Sequence, residues 1–378
     1  MTGRVYQRDK SRRDVWQLII ELGRDENGKR RWKYESVHGT KGHAKKVLRQ
    51  RLNEFESGTY VEPTDLTVGE YLRNWHTDHA RHHLSARALE SNGYTLERHI
   101  IPGLGGHKLA KLRPMHLQSY YAEKLDSGLA ASSVRKHHDI VHSALRHAVA
   151  MQVLATNPAD VVVPPRPKRS EMKVLNDVQA AAMLRAAEGT SLYMALMLAL
   201  GTGMRKGELL ALRWPDVDLE AGTLTVNQTL QAAFGELHFK EPKTAKSRRR
   251  ITLPGIVVDA LRAHRAEQAK KTLAREPGYA LSDLVLAAPH GGPWWPSNLD
   301  RVWRKFKMKQ DLEIRFHDLR HTHATQLLKA GVHPKVVSER LGHASIGITL
   351  DTYSHVMPGM QEEAAEKIDA GLRKALAG

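Results

Sequence analysis

The chain of 378 residues contains no cysteine, which excludes disulfide bonds, thiolate nucleophiles and zinc sites built on cysteine. Long apolar runs are missing too, because no stretch approaches the roughly 20 apolar residues that a membrane-spanning helix needs. The N-terminus lacks an apolar segment of the secretory type. From these absences we expect a soluble protein of the cytoplasm with no membrane partner.

Acidic residues are few relative to basic ones. The chain has 58 Lys and Arg against 41 Asp and Glu, a formal net charge of +17 and an isoelectric point near 9.9. An excess of this size favours a polyanionic partner, most plausibly nucleic acid. Charge alone leaves open a basic protein that is merely soluble.

Residues 1–58 form the most basic block, with 15 Lys and Arg against 8 Asp and Glu. Short runs at 4–8, 15–23 and 30–37 predict three strands, and Asn27-Gly28 predicts a tight turn. Apolar positions at helical spacing predict a helix over 41–57. A small basic sheet can lie in a DNA major groove. A hairpin that touches phosphates without sequence preference is the alternative.

Residues 66–160 are helical in pattern throughout and predict a compact bundle. Thr67 and Glu70 have the spacing of a capping box, Pro114 suits a first helical position, and Ser132 suits a helix cap. The last helix is expected to end at Asn157-Pro158.

Four histidines lie on that last helix, at His137, His138, His142 and His147. We expect them to form a polar stripe that faces solvent or DNA. A metal site at His138 and His142 is the alternative, but no acidic residue stands at helical spacing beside them. The basic, proline-rich stretch 163–169 follows and predicts a domain boundary, because consecutive prolines cannot continue a helix.

The part from 171 to 378 carries the side chains suited to chemistry. The pattern predicts helices at 176–187, 191–200, 256–271 and 297–308, and one antiparallel sheet of strands 223–228, 236–240 and 249–253. A Gly-Thr-Gly turn places Arg205 near the start of a further helix. Glu208 follows one turn later and can hold Arg205 in position; an ordinary surface pair is the alternative.

The stretch 315–356 holds His317 and Arg320 in an H-x-x-R arrangement, then Leu-Gly-His343, then Tyr353. A guanidinium matches two oxygens of a phosphodiester, and imidazoles can bind the same oxygens or pass protons. A phenol can act as a nucleophile once neighbouring cations favour its phenolate. Gly342 is predicted to end a helix and deliver His343 into a cleft. The group suggests chemistry on a phosphate.

These motifs resemble the C-terminal half of the tyrosine recombinase, or phage integrase, family. The resemblance extends upstream to Arg205 and to Lys243, and it covers roughly residues 60–370. It implies a mainly α fold with small antiparallel β-sheets. It also implies three domains: a sheet-plus-helix arm-binding domain (1–58), a helical core-binding domain that clamps DNA (66–160), and a mixed α+β catalytic domain (171–378).

The resemblance implies a site-specific DNA recombinase that cleaves and rejoins DNA through a 3′-phosphotyrosyl intermediate, integrating or excising a phage or mobile element. It assigns Tyr353 as the nucleophile, Arg205 and Arg320 as the groups that stabilise phosphate charge, and His317 and His343 as assisting groups. Of the three tyrosines in the last domain, Tyr193, Tyr279 and Tyr353, only the last follows the histidine motif.

The remaining assignments from the resemblance concern a lysine and the surroundings of the enzyme. Lys243 would protonate the leaving 5′-hydroxyl, with Lys246 as the runner-up, and Glu208 would support the site. No metal, nucleotide or other cofactor would be required. The expected partners are double-stranded DNA with core and arm attachment sites, further copies in a tetramer on DNA, and a host DNA-bending protein or an excisionase. The setting would be a bacterial cytoplasm, in association with the nucleoid.

Two other functions stay open on the residues alone. His317-Asp318-Leu319-Arg320-His321 resembles the H-E-x-x-H zinc helix and would suit a metal-dependent hydrolase, although this does not explain Tyr353. A non-catalytic DNA-binding regulator would not need all six catalytic side chains. Two further points also stay open. His343 and Tyr353 are ten residues apart, which leaves the path of the Tyr353 segment undetermined, and the last helix can dock on its own domain or on a neighbouring subunit.

Overall fold

The computed structural model describes residues 2–7, 14–24, 29–57, 60–61, 64–167, 172–241, 248–274, 282–354 and 360–377. The chain divides into two compact units, Met1–Arg169 and Ser170–Gly378. It is mostly helical with small antiparallel sheets, as the sequence predicts. Within the part of the chain that the structure describes, no helix is both long and apolar enough to cross a bilayer.

The first unit begins with an antiparallel sheet of strands β1 (Gly3–Tyr6), β2 (Val15–Arg24) and β3 (Arg30–His38), followed by helix α1 (Lys41–Glu56). Alternate residues of β2 point to one face, where they pack under α1 in a small hydrophobic core. Three strands and a helix are confirmed in the predicted places. The predicted Asn27-Gly28 turn lies outside the described residues.

The helical part of the first unit has its own, separate hydrophobic core. Its helices are α2 (Val68–Asn74), α3 (Arg81–His83), α4 (Ala86–Thr95), α5 (Ile101–Leu104), α6 (Pro114–Asp126) and α7 (Ala131–Ala150). The π-helical segments Trp75–Ala80 and Leu96–Ile100 join α2 to α3 and α4 to α5. The predicted capping box is confirmed, since Thr67 and Glu70 each accept a hydrogen bond from the other's backbone N–H.

The predicted cap and the predicted C-terminal end of the long helix α7 are wrong. Ala130 occupies the N-cap position, so Ser132 lies inside the first turn. The helix ends at Ala150, because Gln152 has a φ of 55°, in the left-handed region that cannot continue an α-helix. Asn157 instead stabilises the following turn, where its side-chain oxygen accepts the backbone N–H of Ala159 at 3.0 Å.

The predicted polar stripe on α7 is wrong for its first two histidines. His137 and His138 are only 3% and 7% exposed. Their Nδ1 atoms lie 3.0 and 3.1 Å from the hydroxyls of Tyr120 and Tyr121, respectively, which are buried on α6. These two pairs join α6 to α7. Burial, followed by the nearby His99, lowers the pKa of His137 to about 4, so this imidazole is neutral at physiological pH.

The second unit contains nine of the described helices and five strands. The helices are α8 (Asp177–Ala187), α9 (Tyr193–Thr202), α10 (Lys206–Leu210), α11 (Gly255–Ala274), α12 (Pro296–Lys309), α13 (Asp318–Lys329), α14 (Pro334–Leu341), α15 (Ile346–Tyr353) and α16 (Met360–Leu376). The strands are β4 (Val217–Asp218), β5 (Thr223–Val226), β6 (Thr229–Ala233), β7 (Glu236–Lys240) and β8 (Arg249–Thr252). Helix α9 is buried along most of its length and packs against α10, α11 and α13.

The single sheet predicted for this unit is wrong. Strand β5 pairs with β4 and β8, whereas β7 pairs with β6 in a separate two-stranded sheet. Phe234 and Gly235 both have positive φ, at 52° and 75°, which is the backbone of a tight hairpin turn. That turn directs β7 back onto its immediate predecessor, away from β5.

Candidate active site

The site begins where helix α9 ends. Gly203 has a φ of 65° and closes α9 in the left-handed conformation, and a Cβ there would lie 2.7 Å from both His323 and Leu341. Only glycine fits this turn. The chain then reverses and places Arg205 at the N-cap position of α10.

A buried carboxylate holds Arg205, as predicted. Glu208 is 6% exposed and accepts hydrogen bonds from the backbone N–H and the Nη1 of Arg205, both at 2.9 Å. It also binds Arg249 of β8, at 2.8 and 3.2 Å. Burial acts to raise the pKa of Glu208, but its bonds to Arg249 and Arg205 outweigh burial and lower it. Glu208 therefore stays ionised between two guanidiniums.

Arg320 of α13 is fixed by backbone carbonyls. It donates to the carbonyl oxygen of Gly203 at 2.6 Å and to that of Leu341 at 2.7 Å. Burial, followed by the charge of Arg205, lowers the pKa of Arg320 to about 9, so it remains a cation at neutral pH. Arg205 donates to the next carbonyl, that of Gly342, at 3.1 Å. The two arginines are thus held against adjacent residues of one turn.

Gly342 ends α14 with a φ of 67°, which confirms the predicted left-handed C-cap. His343 follows, with its Nδ1 2.8 Å from the hydroxyl of Thr349 on α15. Burial, followed by the charges of Arg320 and Arg205, lowers the pKa of His343 to about 4. The pKa of His317 is lowered for the same two leading reasons, burial and Arg320. Both imidazoles are therefore predominantly neutral at neutral pH.

Tyr353 is the last residue of α15 and is 1% exposed. Its hydroxyl lies 2.7 Å from the Nδ1 of His321, one turn after His317 on the chain. Burial raises the pKa of Tyr353 to about 12, although the charge of Arg320 acts in the opposite direction.

These side chains meet at one open cleft of about 440 Å³. Among the residues predicted for the site, it is lined by Arg205, His317, Arg320, His343 and Tyr353, together with His321. Glu208 lies behind Arg205. Lys243 and the runner-up Lys246 lie outside the described residues. The cleft combines two fixed cations, three imidazoles and a phenol, a set suited to binding and attacking a phosphodiester.

The arrangement does not resemble a zinc helix. The carboxylate of Asp318 is bound by Arg315 through its backbone N–H at 2.7 Å and through its guanidinium. His321 contacts Tyr353. Across the described residues, no three His, Asp or Glu side chains are grouped so that they could hold a metal ion.

Sequence reasoning missed three residues of the site. Arg249 was one of several basic residues in a crowded stretch, and Arg340 carried no motif at all. Arg340 donates to the carbonyls of Gly201 and Thr252 and to the Nε2 of His323, so it joins α14 to α9, β8 and α13. The third is His321, for which the sequence pattern suggests only a role as a metal ligand. Its position directly after the H-x-x-R arginine was the available signal.

Comparison with known proteins agrees with this geometry. Residues 172–359 match the model of the phage integrase family, and residues 67–125 match the SAM-like N-terminal domain of phage integrases. A tyrosine recombinase XerC-like protein of Caldanaerobacter subterraneus is 29% identical over 95% of this chain and 97% of its own length. An integrase of Streptomyces ambofaciens is 30% identical over 93% of this chain and 92% of its own length.

The fold also matches a solved structure, that of the Tn1549 transposon integrase in complex with a circular intermediate DNA. The TM-score is 0.69 at 19% sequence identity, covering 80% of this chain and 99% of that chain. The sequence matches span nearly the full length of the relatives. The chain belongs to the phage integrase family of tyrosine-type site-specific recombinases.

Proposed function

We propose that this recombinase cleaves DNA by attack of Tyr353 on a phosphodiester, forming a 3′-phosphotyrosyl link and freeing a 5′-hydroxyl. The observation that carries the proposal is the cleft itself. The phenol of Tyr353 and the guanidiniums of Arg205 and Arg320 line one cavity of about 440 Å³. The arginines supply donors and positive charge where the non-bridging oxygens gain charge in the transition state.

The fixed positions of the arginines are part of the mechanism. Arg320 is anchored by two carbonyls, and Arg205 by Glu208 and one carbonyl, so little reorganisation is needed when the phosphate arrives. His317 and His343, both predominantly neutral at neutral pH, can each offer a ring N–H to the same oxygens. Lys243 is the proposed acid that protonates the leaving 5′-oxygen, an assignment that rests on the family pattern.

Because one phosphodiester is exchanged for another, strand transfer needs no ATP. The two arginines supply the charge that a metal ion would otherwise bring. The proposed partner is double-stranded DNA, which the net charge of +17 favours. Integration or excision of a phage or mobile element is the proposed role, at core and arm attachment sites, in a bacterial cytoplasm at the nucleoid.

The proposed domains are 1–58 for arm DNA, 66–160 for core DNA and 171–378 for catalysis. The separate hydrophobic cores of the first two support their division. A tetramer on DNA is proposed as the active assembly, with a host DNA-bending protein or an excisionase as accessory. Helix α16 supports self-association, because its Ile368, Leu372 and Leu376 are 66%, 59% and 87% exposed.

The test is covalent capture on duplexes with randomised core sequences, separated on a denaturing gel. The wild-type chain is expected to form a DNA adduct in EDTA and without nucleotide. Mass spectrometry should place the adduct on Tyr353, the sole tyrosine of the tryptic peptide 341–367. Tyr353→Phe should form no adduct yet bind the recovered duplex normally. An adduct that persists in this variant, or forms only with a divalent metal, would overturn the proposal.

A further inference from the structure

The contact between His321 and Tyr353 has no part in the roles assigned above. It joins the first half of α13 to the last residue of α15, across 32 residues of sequence, at 2.7 Å from Nδ1 to the hydroxyl oxygen. The two rings are tilted, with centroids 5.7 Å apart. Both side chains line the cleft where the phosphodiester is proposed to bind.

A nucleophilic tyrosine in this position needs a base. With a pKa near 12, the phenol of Tyr353 keeps its proton at neutral pH. His321 is uncharged there, because burial, followed by the charge of His317, lowers its pKa to about 4. A neutral imidazole with its hydrogen on Nε2 presents a lone pair at Nδ1, the atom that faces the phenol.

We propose that His321 is the proton acceptor for Tyr353 during DNA cleavage, an inference that rests on the proposed function. As the Oη of Tyr353 bonds to phosphorus, its proton passes to Nδ1 of His321. The bond from phosphorus to the 5′-oxygen breaks, and that oxygen takes a proton from the proposed acid, Lys243. In religation the 5′-hydroxyl attacks phosphorus and gives its proton back to Lys243. The bond from phosphorus to Oη breaks, and the imidazolium of His321 returns its proton to the departing Oη of Tyr353.

The substrate itself makes His321 a stronger base. The protein groups around His321 are mainly basic. Helix α13 and the turn before it contribute Arg315, His317, Asp318 and Arg320, α15 contributes Tyr353, and the turn after α14 contributes His343. A bound phosphodiester adds a negative charge beside these groups, which raises the pKa of His321 toward the working pH. Proton transfer is thereby coupled to DNA binding.

His317 lies one turn earlier, with its ring edge-on to that of His321 at 5.1 Å. The geometry therefore gives the two imidazoles different roles. His321 contacts the phenol, whereas His317 lines the cleft wall, where it can bind the phosphate. Sequence spacing alone cannot assign these two roles, because both histidines lie within three residues of Arg320.

The decisive variant is His321→Gln, because the Gln amide can keep a hydrogen bond to the phenol but cannot take up its proton. The substrate is the duplex that the covalent-capture experiment identifies. A nick beside the cleavage site lets the cleaved fragment dissociate, so that the phosphotyrosyl product accumulates. Single-turnover adduct formation should fall about a hundred- to ten-thousand-fold, with DNA binding unchanged. The matched control is His290→Gln, a change at an exposed loop histidine of the same unit, which should behave as wild type.

The pH profile separates a base from a residue that only positions the phenol. Without the base, adduct formation depends on the small phenolate fraction, so the ratio of variant to wild-type rate should rise about tenfold per pH unit between pH 7 and 9. A fluorinated tyrosine at position 353, which ionises more readily, should rescue His321→Gln and not Arg320→Ala.

Three results would overturn the inference while leaving the proposed function intact. One is a defect in His321→Gln that is constant across pH and not rescued by fluorination. The second is wild-type activity in His321→Gln while Tyr353→Phe is inactive. The third is a nitrogen-15 NMR spectrum of the free protein that places the His321 hydrogen on Nδ1. An adduct in Tyr353→Phe would instead overturn the proposed function itself.

Discussion

Replacement of Glu208 by Gln tests whether one buried carboxylate holds Arg205 and Arg249 in place. Glu208 accepts four hydrogen bonds, two from Arg205 and two from Arg249, at 2.8 to 3.2 Å. Glutamine has almost the same shape but only one oxygen, and its amide nitrogen would face N–H donors. The change therefore removes a charge and one acceptor oxygen, and with it two of the four hydrogen bonds, without leaving a cavity.

The magnitude follows from the burial of the partners. Arg249 is 8% exposed, so losing the carboxylate leaves a guanidinium that water cannot solvate. Removing one partner of a buried ion pair typically costs about 3–5 kcal/mol. We expect Glu208→Gln to lower the free energy of unfolding of the second unit by that amount, a large share of the 5–15 kcal/mol typical of domains. Catalysis should fall more than DNA binding, because Arg205 loses its charged partner and one of its two bonds to residue 208, which loosens the guanidinium.

Hydrogen exchange followed by mass spectrometry suits this measurement, because peptides from α9 report on the second unit alone. The matched control is Asp300→Asn, which neutralises a carboxylate bound to Lys206 with side chains 46% and 32% exposed. A pair this exposed contributes at most about 1 kcal/mol. If Glu208→Gln accelerates exchange in α9 no more than Asp300→Asn does, Glu208 is an ordinary surface partner and the reasoning is refuted.

The remaining predictions concern His137, residues 1–58 and the two lysines Lys243 and Lys246. His137 has a pKa near 4 in the fold and near 6.5 when unfolded, so the unfolded chain binds its proton first. The contribution of His137 to the stability of the helical part should be full above about pH 6.5 and fall by up to about 3 kcal/mol toward pH 4. In acid titrations followed by circular dichroism, His137→Phe should remove this share of the pH dependence and leave the share of other histidines such as His138. Deletion of residues 1–58 should leave core-site cleavage intact and impair recombination at a full attachment site; equal losses in both assays would contradict a separate arm-binding role. Lys243→Ala should slow cleavage about a hundred- to ten-thousand-fold, more than Lys246→Ala, with rescue by a 5′-bridging sulfur that leaves without a proton; equal, unrescued defects would contradict acid catalysis.

Much of the fold was accessible from the sequence because its signals are local. Helical periodicity, the capping box at Thr67 and the glycine that ends α14 depend on residues a few positions apart. The cleft residues were accessible for a different reason. Chemistry on a phosphate needs arginine, histidine and a nucleophile together, and the family motif gave their order along the chain.

The rest depends on which neighbouring element each segment pairs with, and the pattern within the segment does not identify that partner. The histidines of α7 look like a polar stripe until α6 presents Tyr120 and Tyr121 to two of them. Likewise, β7 has the pattern of any edge strand, and only the positive φ of Phe234 and Gly235 decides that it pairs with β6. In both cases the sequence shows which contacts a side chain or strand could form, and the neighbouring element in the fold determines which of them it forms.

The spacing of ten positions from His343 to Tyr353 shows how a tertiary partner resolves a question that the sequence leaves open. Thr349 and Tyr353 are both almost fully buried and stand four apart on α15, so they share one face of that helix. Thr349 contacts His343 while Tyr353 contacts His321, and α15 therefore fixes the phenol of Tyr353 relative to both imidazoles. Since α15 begins only at Ile346, Ala344 and Ser345 connect it to His343 outside the helix. An extra residue in that connection would change the path of the loop without moving Thr349 relative to Tyr353, so the separation along the chain matters less than the helical register.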